Sequence, residues 1–531
     1  MSSSTKTNFL VVLLVITATI PPPEVAAAKI LGFFGISSRS HNNFFNALNV
    51  ELANRGHELT VVTAFPMKNT PKNYRQIDVK IVRELFNEIN MVKASKSGFW
   101  TQIFRWREPG EPANVMVVCS KVLKIPEVEA LRSENFDLLL VPMYYNDCAY
   151  PFSWLYNAPM VMMAPSGDAS HFEIGIGNPE PPSYVPNKFL PYTDHMTFYQ
   201  RFINTFTAHL LNFLRFWFIF PIIDEDIKEF FGPDAPSVVE LQKNTSLLIL
   251  NGHFCLNYPR PFVPAVIEAG GMQIKKDVKP LPKDLQDFLD GAKEGAIYFS
   301  MGSILQAKDM PLEKVKAFVA AFAELPQRII WKWEVEKLPG QPKNVKTGVW
   351  LPQQAILSHP NVKLFITHGG LLSTQEASYY GMPLVGIPMV GDQMLNVIRS
   401  QNMGYALQLS YQNLTKETIL NTIKKVLNEP SFSKNAKKLQ TCVRDQQQTP
   451  LERAVFWTEY VLRHNGAPHL RSAAADLEWY QVHLVDVYAV LAVLVALPLV
   501  LICLIIKKLC CSKRKFHENS SVGKKKNRSS D

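Results

Sequence analysis

The chain has 531 residues, 47% of them hydrophobic and 19% charged, with a formal net charge of +10. That length exceeds one ordinary core and calls for two large domains with additional segments. The charge is not spread over a nucleic-acid-binding face. Residues 507–531 hold nine Lys and Arg against two acidic residues, so this tail carries +7 and the remainder only +3. Nucleic acid is therefore not an expected partner, and the basic run reads as the flank of a membrane segment.

Residues 1–28 read as a secretory signal: Lys6 is the positive charge, Phe9–Ile20 the apolar run, and Ala26-Ala27-Ala28 the small-residue cleavage site. Lys29–Phe34 is a strand, followed by a loop through Ser40 and His41 and a helix over Phe44–Arg55 that Gly56-His57 ends. Glu58–Thr63 is the next strand, completing a βαβ unit of the kind that builds parallel sheets. Phe136–Val141 is a buried strand with a loop from Pro142 to Asp147. The stretch from Ser166 to about Glu240 is aromatic and Pro-rich, with a helical pattern over Met196–Phe220.

Leu247–Asn251 is expected to open a second βαβ series that continues through Ala296–Ser300, Arg328–Trp331 and Val362–Ile366. The fold class is then α/β: two Rossmann-like doubly wound domains, residues 29–240 and 241–445, facing each other across a cleft. Leu451–His464 is a helix within a membrane-proximal segment, 446–480. Val487–Ile506 is a continuous apolar run of 20 residues, enough to cross a bilayer as one transmembrane helix, and Lys507-Lys508 stops it. Signal and stop-transfer together predict a type I protein with its bulk in the lumen and the tail 507–531 in the cytoplasm.

Cys119, Cys148, Cys255 and Cys442 fall in the lumenal part without metal spacing; one bridge is compatible with them, and its pairing is open. Asn244-Thr245-Ser246 and Asn413-Leu414-Thr415 are glycosylation sequons. Asp224-Glu225-Asp226 has the look of a metal-binding DxD, but its amphipathic context after Pro221 favours a solvated or helix-capping role. The histidines show no metal-ligand spacing, so no metal is expected.

The most informative segment is Trp350–Gln393. Within it a strand runs through the turn Thr367-His368-Gly369-Gly370 into a helix opened by Ser373-Thr374-Gln375-Glu376 and ended near Gly381. Free N–H groups and the positive end of the helix dipole meet at such a turn, which makes it an anion site. The ordered landmarks Trp350, Pro352-Gln353, His359-Pro360, Thr367–Gly370, Glu376, Gly381–Pro383 and Asp392-Gln393 resemble the signature of the UDP-glycosyltransferase family, which includes the UDP-glucuronosyltransferases. Tyr298–Ser303 and Arg463–Arg471 resemble family motifs too, and Gly177-Asn178-Pro179 with Pro182–Pro186 resembles the insect-type members.

The resemblance implies a GT-B fold and metal-independent, inverting transfer of a hexose, glucose before glucuronate, from a UDP-sugar to a small lipophilic acceptor. The UDP-sugar is a co-substrate, and no cofactor is expected. An N-terminal acceptor domain and a C-terminal UDP-sugar domain are implied, in a protein of the endoplasmic reticulum membrane. His41 matches the catalytic base, whose ordinary pKa suits proton abstraction near neutrality. The acid that holds this histidine is expected where Pro142 stands, and Asp147 is the nearest replacement. Trp350 would stack on uracil, Gln353 contact the nucleoside, and Glu376 accept from the ribose hydroxyls. Ser303, His368, Gly370 and Ser373 would hold the pyrophosphate, and Asp392 and Gln393 the sugar. The alternative is a catalytically weak binding protein of the same fold; acceptor identity and self-association are left open.

Overall fold

A computed structural model describes residues 26–88, 118–168, 173–303 and 305–526. The signal expected over residues 1–28 lies outside the described residues up to residue 25. Thirteen strands form two sheets among the described residues. In the first, β1 (Lys29–Phe34), β2 (Glu58–Thr63), β3 (Tyr74–Asp78), β4 (Leu138–Pro142), β5 (Met160–Ala164), β6 (Thr245–Leu250) and β7 (Val266–Glu268) take the order β3-β2-β1-β4-β5-β6-β7. In the second, β8 (Ala296–Ser300), β9 (Arg328–Lys332), β10 (Val345–Gly348), β11 (Val362–Thr367), β12 (Leu384–Gly386) and β13 (Ala406–Gln408) take the order β10-β9-β8-β11-β12-β13.

All eleven strand pairs are parallel. Helices cover both faces of such sheets, so their strands read as unbroken apolar runs: every residue of Leu138–Pro142, Met160–Ala164 and Ala296–Ser300 is buried. Each sheet reverses its strand order once, between β1 and β4 and between β8 and β11. Ligand crevices lie outside the carboxyl ends of strands at these reversals.

One sequence assignment is corrected. The 247–251 strand does not head the second sheet; as β6 it pairs with β5, through Val161 opposite Leu247 and Ala164 opposite Leu250. The first sheet thus continues past residue 240 to Glu268. A fully apolar strand has the same pattern in either sheet, so its address is decided by pairing alone.

Helix α1 (Arg39–Asn54) starts earlier than expected, because Ser38 caps it by accepting from the His41 N–H at 3.2 Å. His41 therefore lies in a first helical turn and not in a loop. A long helical run continues from α2 (Phe198–Leu214) through Arg215–Ile219 into α3 (Phe220–Phe231). Asp224, of the acidic triplet, accepts from the Val238 N–H at 2.7 Å and so caps the next helix.

The closing helix, α7 (Pro450–Arg463), joins the core of the first sheet through Ala454, Val455 and Val461. Its Glu459 pairs with Arg55 at the end of α1. At the C-terminus, Val485–Cys510 is apolar enough to cross a membrane, with mean hydropathy 3.3 and none of its most apolar window buried. Phe198–Phe231 also meets the length and hydropathy criteria at 1.5, but it packs partly on the N-terminal lobe. Cys119 and Cys148 form a disulfide, which settles the open pairing.

Candidate active site

Ser303, Trp350, Gln353, His368, Gly370, Asp392 and Gln393 all follow strand ends of the second sheet, so parallel pairing gathers them along one edge. Gly370 is the N-cap of helix α5 (Leu371–Tyr380), preceded in the same domain by helix α4 (Gln353–Ser358) and followed by helix α6 (Gln393–Asn402). At Gly369, φ is +82°, and an added Cβ would stand 2.4 Å from Val397 Cγ2, so α6 can pack on the turn only over glycine. Asn396 of α6 donates to the Gly369 carbonyl at 3.1 Å and holds the turn from behind.

The His368 ring lies between two glycines. A Cβ on Gly302, where φ is +91°, would meet its Cε1 at 2.5 Å, and one on Gly370 would meet its Nε2 at 2.4 Å. Burial, with Lys332 adding to it, pushes the imidazole down to about 4. The ring is thus neutral near pH 7 and can donate one N–H. Lys332 itself donates to the Gly302 carbonyl at 2.8 Å and to Glu334 at 2.9 Å. The buried Ser303 Oγ has no hydrogen-bond partner among the described residues. A neutral imidazole, an unused hydroxyl, a cation and a helix N-terminus together suit a polyanion.

Glu376 is buried and accepts from Gln353 Nε2 at 2.7 Å and Gln354 Nε2 at 3.0 Å. Burial raises its carboxyl above the ordinary range, while the two amides oppose that rise. Gln353 Nε2 also lies 3.3 Å from Ser373 Oγ, and Tyr298 donates to Gln353 Oε1 at 3.3 Å. Trp350 stands at the rim, 60% exposed, which a core tryptophan would not be. A flat exposed indole beside a carboxylate and amides can take a heteroaromatic base and a diol.

Asp392 accepts from Asn396 at 3.0 Å, and burial raises its carboxyl. It lines a pocket between the lobes with Asp168, Lys188, Asn257, Arg260 and Arg399. Gln393 Oε1 is occupied by the Met389 and Val390 N–H groups at 2.9 and 3.1 Å, so only its amide nitrogen is left for a ligand.

Across the cleft, the His41 side chain is only partly buried by area, yet its surroundings push the imidazole down to about 4, with Lys188 contributing after desolvation. Among the described residues no hydrogen bond joins Asp147 to this ring. That carboxylate accepts from Arg215 at 2.9 Å and from Gln242 at 3.4 Å. In the turn after β4, Asn146 exchanges two hydrogen bonds with the Ile36 backbone, at 3.0 and 2.9 Å, and pins the loop after β1. Among the described residues no side chain hydrogen-bonds the His41 ring. Sequence reasoning missed Lys188, whose Nζ donates to Tyr144 Oη at 2.6 Å and lies 3.9 Å from Asp168. It missed Lys332 too, although a lysine closing the apolar strand Arg328–Lys332 was a visible signal.

The lobes meet through Gln375 Nε2 on the Asn251 carbonyl at 2.8 Å and Arg399 on Asn257 at 3.2 Å. At the cleft mouth the Arg39 guanidinium lies 5.3 Å from the Trp350 ring centre. Among the described residues, no group of three or more His, Cys, Asp and Glu could hold a metal ion.

Residues 37–525 match the family model described as UDP-glucoronosyl and UDP-glucosyl transferase. The chain is 37% identical over 508 residues to UDP-glucosyltransferase 2 of Dactylopius coccus, covering 94% of this chain and 95% of that one. It is 33% identical over 499 residues to UDP-glucuronosyltransferase 2B15 of Homo sapiens, covering 90% and 92%. Among solved structures, a UDP-glucose: anthocyanidin 3-O-glucosyltransferase in complex with UDP superposes with a TM-score of 0.54 at 14% identity, over 82% of this chain and 98% of that one. The glycotransferase of kitacinnamycin gives 0.55 at 17% identity, over 82% and 99%. At those identities the likeness establishes the shared two-lobed fold.

Proposed function

The chain belongs to the UDP-glucoronosyl and UDP-glucosyl transferase family, and from that premise we propose that it transfers glucose from UDP-glucose to a hydroxyl of a small lipophilic acceptor, with inversion and with His41 as base. Glycosyl transfer from a UDP-sugar follows from the family; sugar, base and acceptor are our reading. The observation that carries it is the approach of Arg39 to Trp350, because Arg39 is two residues before His41. The first turn of α1 thereby faces the nucleotide platform of the opposite lobe.

In this reading the indole stacks on uracil and Glu376 accepts from the ribose hydroxyls. His41 takes the acceptor proton as the oxygen attacks the anomeric carbon, and the bond to UDP breaks on the opposite face. Ser303, His368 and the α5 N-terminus receive the charge that grows on UDP. Asp392 and the Gln393 amide bind sugar hydroxyls. The imidazolium has a lysine nearby and no hydrogen-bonded carboxylate, so an acidic acceptor such as a phenol suits this site better than an aliphatic alcohol.

Glucose is favoured by the 37% identity to a chain named UDP-glucosyltransferase. Glucuronate is a second reading, supported by Lys188, Arg260 and Arg399 around Asp392. We place the protein in the endoplasmic reticulum membrane, with the lobes lumenal and Val485–Cys510 as anchor. Microsomes holding the full chain, given labelled UDP-glucose or UDP-glucuronate and a phenol, test the proposal. Glucoside formation that vanishes in His41→Ala is expected; UDP binding without turnover would leave only a binding protein.

A further inference from the structure

The secretory leader, read from the sequence as residues 1–28, ends in three alanines, and the fold does not treat the three alike. Ala26 and Ala27 are exposed, whereas Ala28 is buried. The Ala28 carbonyl accepts from the Glu58 N–H at 2.9 Å, which extends the β1–β2 ladder one residue before Lys29. Its own N–H donates to His57 Nδ1 at 3.2 Å. The folded lobe thus begins at Ala28, one residue earlier than the sequence places it.

His57 connects this nitrogen to the closing helix. The ring is buried, and accepting at Nδ1 leaves Nε2 to carry the N–H of a neutral imidazole. That Nε2 lies 3.6 Å from Glu459 Oε1 of α7. Burial favours the neutral ring by lowering its pKa. Glu459 is buried in turn and held by Arg55 and Arg463. One residue along the chain, the Asp137 carboxylate accepts from the Lys29 N–H at 2.7 Å. The Ala28 nitrogen therefore has a ring acceptor on one side, a carboxylate on the next N–H, and an exposed approach where Ala27 joins it.

We propose that the leader is cut between Ala27 and Ala28, and that the new α-amino group of Ala28 takes this seat as the first residue of the mature chain. The proposal rests on the lumenal reading of the leader. One water is consumed: the Ala27–Ala28 C–N bond breaks, Ala27 leaves with a carboxylate, and Ala28 keeps an amine that is mostly protonated at pH 7. Val25 and Ala27 then stand third and first before the bond, small uncharged side chains as a leader site requires. One N–H of the ammonium keeps the bond to His57, and the others reach solvent. A cut one bond later would set the Lys29 ammonium on Asp137, but it would discard the buried Ala28 and leave His57 Nδ1 without its donor. A cut one bond earlier would put the charged Glu24 third before the bond.

The test uses the full chain expressed in insect cells and taken from microsomes. Its amines are dimethylated before trypsin, so that cleavage is confined to arginine, and the peptide with a modified α-amine is identified by mass spectrometry. The expected peptide runs from Ala28 to Arg39. A peptide that starts at Lys29, or at Ala27, overturns the proposed bond while leaving the leader in place. A chain that still holds Lys6 would overturn the lumenal reading itself. Deleting Ala28 tests the seat: the mature chain then starts at Lys29, and its melting temperature should fall by a few degrees. In a His57→Phe background the same deletion should cost less, because the ring acceptor is already gone. Equal losses in both backgrounds would show that the terminus does not act through His57.

Discussion

The Asp147 carboxylate accepts a hydrogen bond from the Arg215 guanidinium at 2.9 Å, with the two side chains only 6% and 15% exposed. This pairing, next to the Cys119–Cys148 bridge, ties the turn after β4 to the junction between α2 and α3. It gives Asp147 a structural task and leaves His41 in the field of Lys188.

Asp147→Asn should therefore lower stability and not chemistry. Removing one member of a buried pair costs about 3–5 kcal/mol, because the other charge is left uncompensated. Urea unfolding should shift accordingly, while the folded fraction keeps its turnover within about threefold, a difference of well under 1 kcal/mol. A hundredfold loss of turnover in well-folded protein would restore Asp147 to the catalytic centre.

His41→Ala should lose about 10²–10⁴-fold in turnover, the range for a general base, with UDP affinity unchanged by calorimetry. The ring's pKa of about 4 means that it is neutral, and able to accept a proton, throughout the physiological range. Turnover should stay level as pH falls from neutrality and decline only as the pH nears that value and the imidazole becomes protonated. An acid limb at the ordinary histidine value would contradict the assignment.

Desolvation is the larger cause of that depression and Lys188 the smaller. Lys188→Met removes the cation, so the acid limb should move upward in pH, toward but not reaching about 6.5. The same variant should lose more activity with acidic phenols than with aliphatic alcohols. Equal losses across an acceptor series would show that Lys188 only supports the Tyr144 loop.

Glu376→Gln should weaken UDP binding by about 1–3 kcal/mol, roughly five- to 150-fold, because a charged acceptor for two hydroxyls becomes a neutral one. Trp350→Ala, at an exposed position, should weaken it similarly while the melting temperature stays within about a degree or two. Isothermal titration with UDP separates these losses from folding effects.

Gly302→Ala puts a methyl where the His368 ring now lies and strains a left-handed backbone, at a cost of about 1–2 kcal/mol for the backbone alone. UDP-sugar affinity should fall, and transfer with it. An unchanged Kd for UDP would mean that His368 has no part in holding the pyrophosphate.

The strand, turn and helix of the proposed donor site were legible in the chain because their interactions are local. A strand, two glycines and a helix start lie within a few residues, and Ser373 and Glu376, three positions apart, share one face of that helix. The two-lobed α/β class was legible for a similar reason, since buried parallel strands appear as uninterrupted apolar runs. The same property concealed the address of β6, because a fully buried strand shows no face that would identify its neighbours.

Sequence by itself determined the βαβ rhythm, the strand–glycine–helix turn and the apolar terminal run, each governed by interactions over a few residues. Tertiary structure alone decided that Asp147 belongs to Arg215, that Asn146 pins the loop before His41, and that Lys188 and Lys332 lie beside the two histidines. These pairings join residues up to 147 positions apart, as His41 and Lys188 are. Side-chain charge acts through space, and only the packing of the sheets brings such distant positions within its range.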